Sequence, residues 1–499
     1  MHTSKKDVYE TLNEVGPIDH RIWKLFALLL LVLAVSNCVL LALPAQGPLR
    51  VHHSNPRYFQ DGNGNSVYLT GSHTWNNLQD WGGSTPNFDF NAYVALLNDN
   101  NHNFVRGWVW WESYRDIQPF CDIEPEIYKR TGPGNANDGK PKFDLNQYNQ
   151  EYFDRLKQRV DTLRNNGIYV SVMMFHYYSV NHVYSWDNHP YNSANNINGI
   201  DGDVNRDGIG LEIYDLNELN NNIPEILKLE QAYVRKVIDT LNDMENVLWE
   251  IANEMKRYTL AFQYYFIDYI HSYETEKPYQ HPVGLTSSGG GSNPSTAIMN
   301  SDLFSSQADW VSPHSETTQD YSYNPPAADG SKVVISDTDH LGGILGTTNP
   351  DTYRKWVWKT FMRGNHPIIM DPVQNGIPGR EGEAWSDPDN PALPTGREVM
   401  GHTLHYARKT NLNAMTPQNT LCSTSYCLAS QGREYLIYQA NSGQFSVNLS
   451  KNLYYYEWFN PRSGNVESTG EISAPGGNYH FSPPFSGDAV LFLSATIPQ

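Results

Sequence analysis

From about residue 66 the chain alternates short apolar runs with polar loops and helical stretches. The runs are VYLTGSHTW (67–75), NFVRGWVWW (103–111), YVSVMMFHYY (169–178) and VLWEIANE (247–254), then PVGLTSS (282–288), DWVSPHS (309–315), KVVISDTDH (332–340) and HPIIMDP (366–372). Several are apolar without alternation, as parallel strands buried on both faces require. Between most of them apolar residues recur at helical spacing. Leu145, Tyr148, Tyr152, Leu156, Val160 and Leu163 mark a helix over 144–164, and 224–243, 257–275 and 396–409 read likewise. Eight such strand–helix units predict a (β/α)8 TIM barrel over 50–412. A doubly wound sheet is the alternative, but no Gly-rich phosphate loop follows the first run. After NLNAMTPQN the period shortens to two. EYLIYQA (434–440), QFSVNLS (444–450), YYYEWFN (454–460) and AVLFLSA (489–495), set between Gly, Asn, Pro and Ser turns, predict a small all-β sandwich domain over 418–499.

Composition narrows the function classes. The formal net charge of −19 repels phosphate backbones and argues against nucleic acid as a partner. The apolar stretch LFALLLLVLAVSNCVLLALPA (25–45) follows Lys5, Lys6, Arg21 and Lys24, so the basic head over 1–21 stays in the cytoplasm and the rest is exported. The segment over 22–45 is either a signal peptide cleaved near Ala34-Val35-Ser36 or an uncleaved membrane anchor, and the long polar head slightly favours the anchor. Either way the localisation is extracytoplasmic, secreted or membrane-anchored. In that setting Cys422 and Cys427 read as a local disulfide, Cys121 as a free or buried thiol, and Cys38 belongs to the apolar segment.

A barrel of this kind carries its chemistry where strands end. The runs end on His73 and Trp75; Arg106, Trp108 and Trp110; His176; Asn253 and Glu254; Ser287; His314; Asp337, Asp339 and His340; and Asp371. Glu254 ends the fourth run, and Asp337 and Asp339 end the seventh, which faces the fourth across the barrel mouth. Two carboxylates across a cleft suit glycoside hydrolysis, one protonating the leaving oxygen and the other attacking the anomeric carbon or activating water. The bland alternatives are a Glu254–Arg106 ion pair, and a helix cap or a metal pair with His340 for the two aspartates. Trp75, Trp108, Trp110, Tyr177 and Trp310 are candidates to stack on sugar faces, with Trp186 and Trp385 as further cleft residues; some will be core instead. His176 and His314 either bond sugar hydroxyls, orient a carboxylate, or are structural. A separate signal is NGIDGDVNRDGIGLE (198–212). Asp201, Asp203, Asn205, Asp207 and Glu212 form a candidate structural calcium loop. Counting from Asp201 puts Glu212 twelfth but Arg206 where Gly belongs; counting from Asp203 fits Gly208 but puts Tyr214 last. An acidic turn with no ion is the alternative.

WEIANE at the end of the fourth run resembles the Asn-Glu signature of clan A, the (β/α)8 retaining glycoside hydrolases that include cellulase-like enzymes. The resemblance implies that Glu254 is the acid/base, that Asn253 contacts the sugar hydroxyl beside the anomeric carbon, and that Arg106 is the rim arginine after strand two. YFQDGNGNSVYLTGSHTWNNLQD (58–80) resembles the opening of the apiosidase-like branch, and the tail, with EYLIYQA and YYYEWFNPRSG, resembles a collagen-binding-type β-sandwich. The latter implies a domain type, not collagen binding. Together they span about residues 50–499. The chain departs from the clan at strand seven, where the nucleophile is usually Glu and SDTDH offers two aspartates. Asp337, directly after the apolar VVIS, is the first choice as nucleophile; Asp339 shares its facing, and the one not used would hold His340 or an arginine. The function expected is a retaining glycoside hydrolase acting on a polysaccharide or glycan, with no required cofactor. The alternative is a non-catalytic carbohydrate-binding surface protein that keeps the cleft. An adhesin working through the sandwich leaves the rim unexplained. Membrane contact is expected only through the N-terminal segment, and no oligomeric state is legible.

Overall fold

The structure, a computed structural model, describes residues 43–82, 88–115, 121–288, 293–374, 380 and 382–496. The basic head and nearly all of the apolar segment, with Lys5, Lys6, Arg21, Lys24, Ala34, Val35, Ser36 and Cys38, lie outside the described residues. Among the described residues no helix is long and apolar enough to cross a membrane.

Eight strands form one parallel sheet: β1 (Gly71–His73), β2 (Phe104–Gly107), β3 (Tyr169–His176), β4 (Val247–Asn253), β5 (Val283–Thr286), β6 (Trp310–Ser312), β7 (Val333–Asp337) and β8 (His366–Met370). Each falls inside one of the apolar runs. Pairing runs in order from β2 to β8, and β8 then pairs with β1. Alternate residues along a strand share a face, and here the inward face changes character along the barrel. Phe104, Leu248, Val333 and Ile335 join Trp310, Leu49 and Phe59 in an apolar plug at the strands' N-terminal ends. Two residues further along, Arg106 and Glu250 meet as a buried ion pair, and Asp337 follows Ile335 in the same way. The barrel is therefore dry at the bottom and charged toward the rim.

Between β1 and β2 side-chain amides do the work of a ladder. Asn103 accepts from Thr70 N (2.9 Å) and donates to the Tyr68 carbonyl (2.7 Å). Asn77 accepts from Trp108 N (3.0 Å) and donates to the Arg106 carbonyl (2.6 Å), and Gln79 bonds both backbone groups of Trp110 (2.7 and 3.0 Å). A carboxamide carries the same acceptor and donor as a peptide unit, so each stands in for a missing strand residue. Gly71 is needed at this seam: a Cβ there would come within 2.2 Å of the Phe104 carbonyl oxygen.

The main helices between strands are α1 (Phe90–Asp99), α2 (Gln150–Asn165), α3 (Pro224–Leu241), α4 (Leu260–Glu274), α5 (Asn300–Ser305), α6 (Pro350–Met362) and α7 (Leu393–Lys409). Asp89, Asn149 and Asn349 cap α1, α2 and α6 through side-chain oxygens. The helix expected from residue 144 starts later. Pro141–Tyr148 is a strand paired with Tyr128–Asn135, because Phe143 and Leu145 are buried in alternation with polar neighbours until Asn149 caps the helix.

The C-terminal part is antiparallel. A six-stranded sheet orders Thr416–Pro417, Cys427–Ser430, Glu434–Gln439, Ala489–Ser494, Asn452–Asn460 and Asn465–Ala474, and Phe445–Leu449 pairs with Gly477–Phe481. Phe445, Trp458 and Phe481 meet in its core. The sandwich is fastened to α6 and α7 by Arg354–Asp488 (2.9 Å) and Lys409–Glu457 (2.7 Å) ion pairs, with Trp358 stacked on Tyr438. The expected disulfide is not formed. Cys422 and Cys427 are buried free thiols, and Thr424 Oγ1 lies 3.0 Å from the Cys422 sulfur.

One buried acid marks a soft point. Glu230 on α3 is fully buried, and neither carboxyl oxygen has a hydrogen-bond partner. Burial pushes its pKa well above the ordinary value. Its acid form is kept in the fold, so stability is full below the unfolded pKa and falls as pH rises toward the folded one. Glu230→Gln should flatten that slope, and Glu230→Met should gain about 1–3 kcal/mol at pH 8 by removing an unsatisfied buried group. Urea melts at pH 5 and pH 9 check this; equal slopes in wild type and variants would refute it.

Candidate active site

A cleft of about 240 Å³ opens at the C-terminal rim. The rings of Trp75, Trp108, Trp110, Tyr178 and Trp385 wall it, and His176, Asn253, Glu254 and Asp339 supply its polar groups. Leu345, Met370 and Arg380 complete the lining.

Glu254 follows the last residue of β4 with φ +56°. Left-handed backbone is disfavoured for a residue with a Cβ and is retained at sites the surroundings over-determine. Burial, then the charge of Asp339, push the Glu254 carboxyl up to about 8, with Lys256 and Arg106 offsetting part of the rise. Asp339 is raised to about 6 by burial, against the pull of Arg106 and with a further push from Asp337.

Asp337, the first choice as nucleophile from sequence, is not among the residues that line the cleft. Its side chain turns back to cap the short helix Thr338–His340, accepting from Asp339 N at 3.0 Å. It also takes Arg106 Nη1 at 2.7 Å and His73 Nε2 at 3.0 Å. Although burial opposes it, His73 and Arg106 hold this carboxylate far below the usual range. The turn it caps carries Asp339 to the cleft wall, with Arg106 Nη1 3.2 Å from Asp339 Oδ2.

Arg106 binds all of these groups together. Its Nε donates to Glu250 Oε2 at 3.0 Å, Nη2 donates to Glu250 Oε1, and Nη2 also reaches Asn253 Oδ1 at 2.7 Å. Ser171 adds a bond to Glu250 at 3.1 Å. The Glu254–Arg106 pair considered from sequence is thus a Glu250–Arg106 pair. His340 lies 3.3 Å from the same Asn253 oxygen, and Ser312 Oγ bonds its other nitrogen at 2.8 Å. Burial, and then Arg106, lower the His340 pKa to about 3, so the ring is neutral and donates from Nε2. With its oxygen held twice, Asn253 has its NH₂ left for the cleft. Trp108 Nε1 donates to His73 Nδ1 at 3.0 Å, which leaves the His73 proton on Nε2, facing Asp337.

Other expected residues separate clearly. Trp75, Trp108, Trp110, His176 and Trp385 line the cleft, while Arg106, His73 and His340 stand behind it. His314 is buried near His340; neither ring nitrogen has a hydrogen-bond partner, and Nε2 lies 3.9 Å from Glu316 Oε1. Trp310 begins its strand rather than ending it and belongs to the apolar plug, packed over Gly284. Tyr177 is buried under Lys256 (5.5 Å from its ring centroid), and its neighbour Tyr178 takes the cleft position because a helical turn begins there. Trp186 packs against Gly202 and Gly210 of the acidic loop. Asp371 is tied to Arg397 of α7 at 2.6 Å. In the loop, Asp201 accepts from Ser193 Oγ at 2.8 Å, and the other acids accept mainly backbone N–H groups. Among the described residues no group of three His, Cys, Asp or Glu side chains stands assembled to hold a metal. Glu250 was missed, although a charge inside an apolar strand run always needs a partner. Nothing in the sequence singles out Leu345, Met370 or Arg380.

Residues 116–308 match the family model described as "Domain of unknown function (DUF6298)", and 415–494 match "Putative collagen-binding domain of a collagenase". No curated protein matches the sequence. Among solved structures, a family 5 glycoside hydrolase from Bacteroides vulgatus ATCC 8482 is 14% identical with a TM-score of 0.60, over 90% of this chain and 92% of that one. A protein described as "Glycoside hydrolase" is 12% identical with a TM-score of 0.58, over 90% and 97%. A second B. vulgatus protein, described as "a putative glycoside hydrolase", is 14% identical with a TM-score of 0.57, over 90% and 83%. At such identities the likeness concerns fold alone: the chain shares with these proteins a parallel eight-stranded barrel, followed here by antiparallel sheets over the residues that match the collagen-binding-type domain.

Proposed function

We propose that the protein is a retaining glycoside hydrolase acting on a polysaccharide or glycan, with Glu254 as acid/base and Asp339 as nucleophile. One observation carries the reading. Glu254 and Asp339 line the same aromatic-walled cleft, and burial together with the charge of Asp339 leaves Glu254 protonated at a pH where Asp339 is ionised. Two acids with separated pKa values are what the two roles need. The fold shared with proteins named as glycoside hydrolases supports it. A binding protein that had lost cleavage would keep the rings without this pair.

In the first step the Asp339 carboxylate attacks the anomeric carbon while Glu254 gives its proton to the glycosidic oxygen; a glycosyl ester forms and the leaving sugar departs as an alcohol. In the second, the Glu254 carboxylate takes a proton from water, the oxygen attacks the anomeric carbon, and Asp339 is freed. The Asn253 NH₂ is placed for the hydroxyl beside that carbon. The cleft, at about 240 Å³, is smaller than pockets for drug-sized ligands and seats one ring better than several.

Reducing-sugar release from a glycan panel, with the product anomer followed by NMR, tests the reading; an inverted first product would sink the nucleophile role. The pH profile is a second test. Activity needs ionised Asp339, so it falls below about 6, and protonated Glu254, so it falls above about 8. A bell-shaped kcat/KM centred near neutrality is expected, and a profile that peaks near pH 4 would contradict it.

A further inference from the structure

We infer that the loop following β3 binds a calcium ion through Asp203, Asn205, Asp207 and Glu212. The structure decides between the two frames left open by the sequence. Asp201 is exposed and accepts from Ser193 Oγ (2.8 Å) and Asp203 N (3.3 Å), with no hydrogen bond to the fifth or sixth residue counted from it. Asp203 instead occupies the first position, its carboxylate accepting from Asp207 N (3.1 Å) and Gly208 N (3.0 Å), the fifth and sixth residues counted from it. In this frame Tyr214 is the twelfth residue, so the closing carboxylate comes from Glu212, two residues earlier than an EF-hand would place it. Gly208 has φ +89°, the left-handed sixth residue that tight calcium loops use.

The observation that points to a ligand comes from a different element. Glu212, in the short helix Leu211–Tyr214, is 9% exposed. Its Oε1 reaches into the loop to accept from Asn205 N at 3.1 Å, while the buried Oε2 has no hydrogen-bond partner. A buried carboxylate oxygen without a donor is costly unless something positive meets it. Hard oxygen donors suit calcium rather than a softer metal. The Asn205 amide nitrogen sits 3.0 Å from Asp207 Oδ2, satisfying that oxygen with a donor. Binding a cation would exchange this Asn205–Asp207 bond for bonds from both side chains to the ion. The loop is tied to the rim: Tyr214 bonds the His176 carbonyl (3.4 Å), and Tyr258 bonds the Leu211 carbonyl (3.2 Å) four residues after Glu254. An ion here would stiffen the cleft wall that carries His176.

The test uses the full chain stripped with EGTA. Terbium is the first probe, because the Trp186 indole lies against the loop, where a Cβ on Gly210 would come within 2.1 Å of it. Tryptophan-sensitised terbium luminescence that calcium quenches is expected. Millimolar calcium should raise Tm by about 2–4 °C, and equal magnesium by much less. Glu212→Gln should abolish both signals, with Asp207→Asn as a second variant should the first fold poorly. No luminescence and no calcium-dependent Tm shift would overturn the site, as would signals that survive both variants. None of these readouts depends on hydrolysis, so failure of the glycosidase reading would leave the result intact.

Discussion

Asp339→Asn abolishes turnover, with kcat falling by roughly 10⁴-fold or more, the scale on which enzymes lose rate when a nucleophile is removed. Glu254→Gln behaves differently, and the difference is the diagnostic. It should lose roughly 10²–10⁴-fold on natural glycans, whose leaving alcohol needs a proton, and far less in the first step on aryl glycosides whose phenolate leaves unaided. Asp337→Asn forms the third arm. Asp337 holds Arg106, His73 and the Asp339 amide rather than the cleft. Its replacement should leave measurable turnover. Removing its charge also removes a push on Asp339, so the acidic limb of the pH profile should move below about 6. Steady-state kinetics across pH on the three variants separate the roles. A dead Asp337→Asn beside an active Asp339→Asn would return the nucleophile to the strand end.

That choice shows what the sequence carried and where it stopped. All eight strands were legible because parallel strands buried on both faces need unbroken apolar runs, and 67–75 through 366–372 supply them in order. Glu254 was legible because it ends such a run. The two aspartates were not separable, because the decision lies in a side-chain rotation. Asp337 turns to cap the helix that begins beside it, and that turn carries the later carboxylate to the cleft. Trp310 was misplaced for a readable reason: it opens DWVS instead of closing it, so it falls in the apolar plug. The Tyr177–Tyr178 exchange is a matter of one residue where strand becomes helix, a boundary that patterning alone leaves loose. The helix expected from residue 144 failed because FDLNQY satisfies both the two-residue and the helical period, and only the Asn149 cap decides between them.

The largest stability effect is expected at Arg106. It is buried at 1% exposure and is the shared partner of Glu250, Asp337 and Asp339, the first two of them fully buried. A buried ion network contributes little beyond its own desolvation while intact, but losing its cation strands the acids. Arg106→Met should therefore destabilise by about 3–5 kcal/mol, and Arg106→Lys should recover only part, since an ammonium cannot span Glu250, Asp337 and Asn253 with a planar fork. The sharper consequence concerns pairing. If stranded charge is the cause, Arg106→Met combined with Glu250→Leu should be more stable than Arg106→Met alone, because the second change removes an acid left without its partner. Urea denaturation of the single and double variants measures that coupling. Additive losses would mean that the arginine acts by filling space, and that the charged layer below the rim is not what holds Asn253 and Asp339 to the cleft.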